Sequence, residues 1–484
     1  MKFYYIFLPL FITNVHSQSS SSLTYINPGY ALLLTTLICQ LTDTFAWKTS
    51  KKYRNKWQKD WASWWAQEND NSTQARTREG PPNPNGPSVP AKPGTFRSGS
   101  IRSYMKTSVQ QECKNNDCKT QSSIYIETKN SLMKTAQVFE KKFFNNDAKV
   151  DIDRQFSAIW DYKKALIDKA GLSQYVSPAD NGLVDGDVLL SEQQARFLIN
   201  ELQKRNFDGH WKNLPLPDLN RDKRSALFFG ENNQFIQKWD TSQPILYMFD
   251  ETYDEYEKNS VRQAHRLISS AASCIHFQFD PIAYKKGHFI YYTRTITSAV
   301  CGLSHVGRQP KGNVIQINFE SCEKLAQTGV IVHETLHALG IEHTHQRVDR
   351  DDFIEIVWNR INPQLIDTFV HADNNIYSTY GVQYDFDSIM QYKWNMGSKI
   401  PNKETMRPKI AYTQNRARMG QRNHLSPSDI EILNKLYCWT GCRDLKVMCG
   451  RWAMLGLCSD AKYKTFMKNR CKLSCGYCGG TRYY

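Results

Sequence analysis

Apolar and polar positions divide the 484-residue chain into stretches of different character. The first, MKFYYIFLPLFITNVHS, is a lysine, an apolar run and small residues near Ser17, the pattern of a secretory signal. A second apolar run, 31–41, ends near Thr44, Phe45 and Ala46 and offers another cleavage point; the choice between the two stays open. Neither run reaches the ~18–20 apolar residues of a membrane span, so no transmembrane anchor is expected. Residues 48–125 are rich in Lys, Ser, Asn and Pro around PPNPNGPSVPAKPG, with too little apolar surface for a core, and read as a disordered arm. From about 126 the spacing turns helical. Ser191 with Gln194 starts a capping box, and Phe197, Leu198 and Leu202 follow on one face. Beyond it the pattern predicts a strand at 245–249, an amphipathic helix at 261–272 and a strand at 275–279. Val330, Ile331, Val332, Leu336 and Ala338 predict a buried helix. In the last helix Ser426 caps, Pro427 takes the first position, and Ile430, Leu433 and Leu436 face inward.

The buried helix carries the densest chemistry, HETLHALGIEH at 333–343. A helix advances about 100° per residue, so His333 and His337 share a face, one turn apart, and can bind one metal ion. Glu334 follows the first of them, where its carboxylate can reach a water on that metal. Gly340 can take the positive φ that ends a helix, letting the chain double back and deliver His343 as a third ligand. Three nitrogen ligands and an open fourth position describe a catalytic zinc centre, since structural sites are closed by four protein ligands. Chance yields the HExxH string in roughly one chain per hundred of this length, and with Gly340 and His343 required in roughly one per hundred thousand, so accident is set aside.

Charge and cysteine set the compartment. Of the formal +15, residues 47–125 contribute 14 Lys/Arg against 6 Asp/Glu and residues 442–484 contribute 9 against 2, so the remainder sums to zero. A nucleic-acid partner needs a basic face on the folded body, and none is implied. Of 13 cysteines only Cys39 lies in the leader, and the remaining 12 suit six disulfides in an exported chain. The sequon at Asn71 fits export. Cys113 and Cys118 are placed for a local bridge. From Cys442 to Cys478 six cysteines are separated by 6, 8, 12, 3 and 2 residues, and so small a segment needs disulfides to fold, with 15 connectivities open. Arg221-Asp222-Lys223-Arg224 suits a proprotein convertase cutting between Arg224 and Ser225.

The histidine string, with HTHQRVDRDD at 343–352 and YDFDSIMQY at 384–392, resembles the astacin family of metzincin zinc metalloendopeptidases. That family's pattern is HExxHxxGxxHExxRxDRD followed by SxMHY. The tail, with its CxD start at Asp444, resembles the ShKT module common in nematode astacins. The resemblance implies an α+β fold, a two-lobed zincin-like catalytic domain with a twisted sheet and an active-site helix, followed by a small disulfide-rich module. It implies one Zn2+ per catalytic domain, Met390 as the Met-turn floor beneath the metal, and Tyr392 as a further ligand that swings aside to stabilise the transition state. Family pairing joins Cys274 to Cys438, Cys301 to Cys322, Cys442 to Cys478, Cys449 to Cys471 and Cys458 to Cys475. Astacin pro-segments hold an FxGD motif whose aspartate fills the open metal position. VDGD at 184–187 matches it through Asp187, with Val184 in place of phenylalanine; the alternative is a plain Asp-Gly-Asp turn.

The layout expected is a signal at 1–17 or extending to 46 and a pro-region at 47–224, disordered to about 125 and helical beyond. A protease domain at 225–438 and the module at 442–478 complete it. Some positions depart from the family. Thr344 stands where astacins carry a glutamate that anchors the mature amino terminus, so that anchor is expected to be absent and latency to depend on Asp187. Gln391 replaces the histidine of SxMHY, and Leu303 replaces the tryptophan of WSYVGR. Lys393 and Lys399 follow the Met-turn and point to acidic residues beyond the scissile bond. The expected function is hydrolysis of extracellular or matrix proteins by a secreted zymogen, with Glu334 as general base and the basic module docking on matrix or an acidic surface. The rival reading is a secreted binding protein, a channel or matrix ligand acting through the module's Lys462-Tyr463 pair, with a protease-like carrier.

Overall fold

A computed structural model describes residues 98–203 (98–105 as backbone), 216–217 and 237–478, apart from 296, 298–299, 321, 323–326, 371–377, 440–441 and 447. Both leader runs, Asn71, most of the basic arm and the bond between Arg224 and Ser225 lie outside the described residues. Helical structure begins inside the arm, with α1 (Ser98–Asn115) and α2 (Ser123–Phe144), so the expectation of disorder to about 125 fails over its last third. The cause is tertiary. Val109 is buried, a Cys113–Cys118 disulfide closes the turn after α1, and Glu112 pairs with Lys399 at 2.6 Å, none of which composition registers. Next come α3 (Lys149–Lys169), β1 (Val188–Leu189) and α4 (Glu192–Gln203). The capping box before α4 is formed: Ser191 N donates to Gln194 Oε1 at 2.9 Å and Gln194 N to Ser191 Oγ at 3.3 Å. Leu198 and Leu202 are buried on its inner face and Phe197 is half-buried.

The following region opens with β2 (Ile245–Phe249), α5 (Glu255–Ala271), β3 (Phe277–Phe279), β4 (Phe289–Arg294), β5 (Gly302–His305), β6 (Asn313–Ile317) and α6 (Gln327–Ala338). Helix α5 starts six residues before the apolar stripe because Asp254 and Glu257 form a reciprocal capping box. The sheet runs β1-β5-β6-β4-β2-β3, parallel throughout except for the antiparallel pair β5 and β6. Strand β1, from the helical segment before residue 204, therefore occupies the outer edge of β5. Period-two alternation sorts the two faces. Ile245, Tyr247, Phe249, Ile290, Tyr292, Ile315 and Ile317 meet α5 and α6, where Val261, Ala264, Ile268, Ile331 and Leu336 are buried. On the reverse face Met248, Phe289, Tyr291 and Val314 lie under Phe139, with Phe143 and Phe144 beside it, all three from α2. Burying one such aromatic ring contributes about 1.5–3 kcal/mol.

Helices α3 and α4 pack on Leu303 and Val306 at the β5 edge, so Leu303 is buried against the helical segment before residue 204. The lower lobe holds the antiparallel pair β7 (Ile354–Ile356) and β8 (Met406–Pro408) with Trp358, Phe369 and Met419. It too receives that segment, through Val109, Ile167, Leu172 and Val176. Helix α7 (Pro427–Leu433) starts at a Ser426 cap with Pro427 first; Leu433 and Leu436 are buried and Ile430 half-buried. The C-terminal module winds α8 (Cys449–Met454) and α9 (Lys464–Arg470) around Trp452, Tyr463 and Met467. A Cβ at Gly450 would lie 2.7 Å from both Thr379 Oγ1 and Tyr380 N, so α8 approaches the lower lobe closely enough to require glycine. Besides Cys113–Cys118, disulfides join Cys274–Cys438, Cys301–Cys322, Cys442–Cys478, Cys449–Cys471 and Cys458–Cys475. Among the described residues no helix is long and apolar enough to cross a membrane.

One buried imidazole couples this core to pH. His265 on α5 stacks on Phe277 at 4.0 Å, meets the Tyr292 hydroxyl at 2.8 Å, and is pushed down to about 3 by burial. Its folded value lies below the unfolded ~6.5, so its stabilising contribution is complete above pH 6.5 and lost as pH falls towards 3. From pH 7.5 to pH 5 His265 is expected to contribute about 2 kcal/mol of destabilisation. Urea midpoints measured at both pH values check this, His265→Gln flattening the difference.

Candidate active site

Helix α6 lies wholly inside the protein, with His333, Glu334 and His337 no more than 2 % exposed. At its end Gly340 adopts φ 90°, Gly340 N bonds His337 O at 2.7 Å and Ile341 N bonds Leu336 O at 2.9 Å. That turn returns the chain and brings His343 Nε2 to 3.2 Å from His337 Nε2 and 3.3 Å from His333 Nε2. The tautomers follow from the partners. His333 Nδ1 lies 2.9 Å from Ile389 O and His337 Nδ1 lies 2.8 Å from Ile341 O. A carbonyl only accepts, so both Nδ1 atoms donate. In the neutral rings that leaves the facing Nε2 atoms as bare lone pairs. Burial pushes His333 down to about 4 and His337 well below the usual range, keeping both neutral. Facing lone pairs repel unless a cation sits among them. Tetrahedral ligands of zinc, with Zn–N bonds of about 2.0–2.1 Å, stand roughly 3.3 Å apart, so the donor set fits the ion in type and spacing. These three histidines, with Asp187, are a group that could hold a metal.

Asp187 reaches this group from the loop between α3 and β1. Its Oδ1 lies 3.1 Å from His343 Nε2 and 3.7 Å from His337 Nε2, and its Oδ2 lies 3.4 Å from His333 Nε2. Burial acts to raise its pKa, but the neighbouring imidazoles, His343 foremost, outweigh this and hold the carboxyl well below the usual range. The Asp187 carbonyl accepts from Ser304 N at 3.0 Å, continuing the β1–β5 pairing to the cluster. Glu334 presses against Gly302, where a Cβ would sit 2.6 Å from its side chain. Its Oε2 is buried without a hydrogen-bond partner, and burial, then Asp187, raise its pKa well above the usual value.

Beneath the cluster runs the turn Ser388, Ile389, Met390. Asp429, third residue of α7, accepts from Ser388 Oγ at 2.6 Å and Ile389 N at 2.8 Å, fixing the carbonyl that orients His333. Met390 is 1 % exposed, and its carbonyl accepts from Thr344 N at 3.0 Å. Tyr392 stacks on His345 at 4.1 Å and lies 4.4 Å from the His343 ring, with its hydroxyl buried and without a partner. Gln391 points away from the cluster and accepts from the Tyr384 hydroxyl at 2.8 Å. The Thr344 hydroxyl donates to Ser388 Oγ at 3.0 Å on the wall of a cavity of about 110 Å³.

Several residues escaped the sequence reading. Asp185 is held at 2.9 Å by Gln346 Nε2, which also donates to Thr368 O. Arg422, half-buried near Glu334 and Asp187, places a cation beside two carboxylates. Spacing carries no sign of either. Asp429 was findable as the acidic third residue of the Ser426 capping box. Lys399 is engaged by Glu112 rather than open, and Tyr463 is buried in the module core, so Lys462 and Tyr463 do not present a joint face.

Comparison with known proteins places these elements in context. The astacin peptidase family matches residues 231–438, and the ShK domain-like family matches 441–478. Zinc metalloproteinase nas-10 of Caenorhabditis elegans is 38 % identical over 381 residues, covering 78 % of this chain and 68 % of that protein. Zinc metalloproteinase nas-9 of the same organism is 37 % identical over 389 residues with the same coverage. Among solved structures, high choriolytic enzyme 1, a hatching enzyme zinc-protease from the medaka Oryzias latipes, is similar at 29 % identity and a TM-score of 0.37. It covers 43 % of this chain and 95 % of that one.

The purified protein is expected to carry one zinc by elemental analysis, and His337→Ala less than a tenth of that. Because the ion binds only the folded state, chelation lowers stability by about 3 kcal/mol at a hundredfold excess over Kd, read as a falling thermal midpoint.

Proposed function

This chain belongs to the astacin family and is a zinc metalloendopeptidase; from that premise we propose that it is a secreted zymogen silenced by Asp187. The observation that supports this reading is the Asp187 carboxylate among the Nε2 atoms of His333, His337 and His343, with β1 lying along the outer edge of β5. One segment thus takes the open metal position and the backbone edge on which an extended peptide would pair. In this reading the pro-region runs to Arg224, a proprotein convertase cuts before Ser225, the protease domain ends at 438, and the module follows at 442–478.

In the mature enzyme His333, His337 and His343 hold the zinc. When bound, the ion supplies a Lewis acid that brings a water into reach of neutral pH and draws charge from a carbonyl. Glu334 takes the proton of the attacking water and hands it to the departing amine nitrogen. Gly302 lets its carboxylate lie against the strand that aligns the peptide, so base and scissile bond share one reference frame. The Tyr392 hydroxyl, buried and unpaired, donates to the oxygen that gains charge in the transition state. Met390 and the Asp429-held turn keep the histidines from shifting as Asp187 departs. Substrates are extracellular proteins or peptides, and the basic module brings the enzyme to matrix or an acidic surface.

Glu334→Ala is expected to retain zinc while casein turnover falls at least a thousandfold; preserved hydrolysis removes Glu334 from the base role. Asp187→Ala made as the uncut chain is expected to hydrolyse casein at a tenth or more of the mature rate, whereas the unaltered zymogen stays below a hundredth. A silent, zinc-loaded Asp187→Ala chain refutes the lock.

A further inference from the structure

Among the described residues outside the metal site, one ion pair between pro-region and protease is fully buried. Lys163, on α3, is 3 % exposed and lies 3.4 Å from Asp367 Oδ2, itself 2 % exposed. The lysine's three N–H bonds are all spent within the pro-region: on Ala179 O at 2.7 Å, Asn181 Oδ1 at 3.0 Å and Leu183 O at 2.9 Å. Lys163 and the loop leading to Asp187 therefore form one unit that leaves together. Asp367 stays behind, and its Oδ1 has no hydrogen-bond partner even in the closed form.

Asp367 lies beside the path of the loop. The neighbouring Thr368 carbonyl accepts from Gln346, and that same amide holds Asp185, two residues from the carboxylate at the histidines. On the other side Gln364 O accepts from Ala179 N at 2.8 Å, a main-chain contact on the same wall. Residues 188–189 pair with β5, whereas 179–185 run on the opposite side of Asp187, along Gln364 and Asp367. The vacated groove thus offers a backbone acceptor and, beside it, a carboxylate stripped of its cation and opened to the cleft. A lysine or arginine side chain delivered by the substrate can take the place of Lys163 and restore the lost pairing.

We propose that Asp367 is a specificity-determining residue of the mature protease, selecting a basic substrate side chain on the side of the cut remote from β5, and that Lys163 is its built-in mimic. The inference rests on the protease reading above. It sets a basic preference beside the acidic one that Lys393 and Lys399 suggest.

The test uses the mature, zinc-loaded enzyme obtained by cutting the full chain. Cut sites in a peptide library should show Lys or Arg enriched at one fixed position. Two peptides differing only there, Lys against Gln, should differ at least tenfold in kcat/KM, mainly through KM. The ratio should fall to near one in Asp367→Asn, persist in Asp367→Glu, and favour a Glu peptide in Asp367→Lys. A general loss of structure lowers both peptides alike and leaves the ratio unmoved. Equal cleavage of the Lys and Gln peptides by the unaltered enzyme overturns the proposal with the protease reading intact. No cleavage of either overturns the protease reading itself.

Discussion

The hydrogen bonds from His333 Nδ1 to Ile389 O and from His337 Nδ1 to Ile341 O determine which nitrogen of each ring stays bare, and much of the catalytic region serves to hold those two carbonyls still. Ile389 O is fixed because Asp429 grips the turn from the start of α7, and α7 is fixed by its own cap and by Leu433 in the main core. Ile341 O is fixed by the left-handed Gly340 turn. Outer partners of this kind set the tautomer and aim of a metal-binding imidazole. Loosening either carbonyl lets a ring invert and points an N–H where a lone pair is needed.

What could be read from the chain without coordinates was local. The 100° step of a helix places His333 over His337, and Gly340 marks the return that delivers His343. A short apolar run located β2, and the Ser191 and Ser426 caps located two helix starts. The unread parts depend on separation in the chain. Asp185 meets Gln346 across 161 positions and Lys399 meets Glu112 across 287. No periodicity links such pairs. The same reason explains why α1 was read as part of a disordered arm: its apolar content is small, and its order comes from a disulfide, one buried valine and a partner on the lower lobe. Met390 and Tyr392 were legible only through likeness to a family, because an apolar floor and an unpaired hydroxyl look like ordinary core by pattern.

The segment before residue 204 does more than deliver Asp187. It extends the sheet by a strand, covers Leu303 at the sheet edge, and supplies Ile167 and Leu172 to the lower lobe. Its packing and that of the protease region are therefore coupled, each completing the core of the other. Among the described residues the charge pairs between them are few and one is deeply buried, so apolar contact supplies most of the adhesion while Lys163 and Asp187 fix the register.

The aromatic cover of α2 over the back of the sheet has a further consequence. Phe139, Phe143 and Phe144 lie far along the chain from any cut made between Gln203 and Gln237, and such a cut removes none of their contacts. What changes is molecularity. Before the cut the two bodies meet at an effective concentration on the order of millimolar, set by the tether. After it they meet only as often as bulk concentration allows. On the zymogen reading proposed above, latency then becomes a property of dilution: where the product is crowded the halves stay paired, and where it spreads they part.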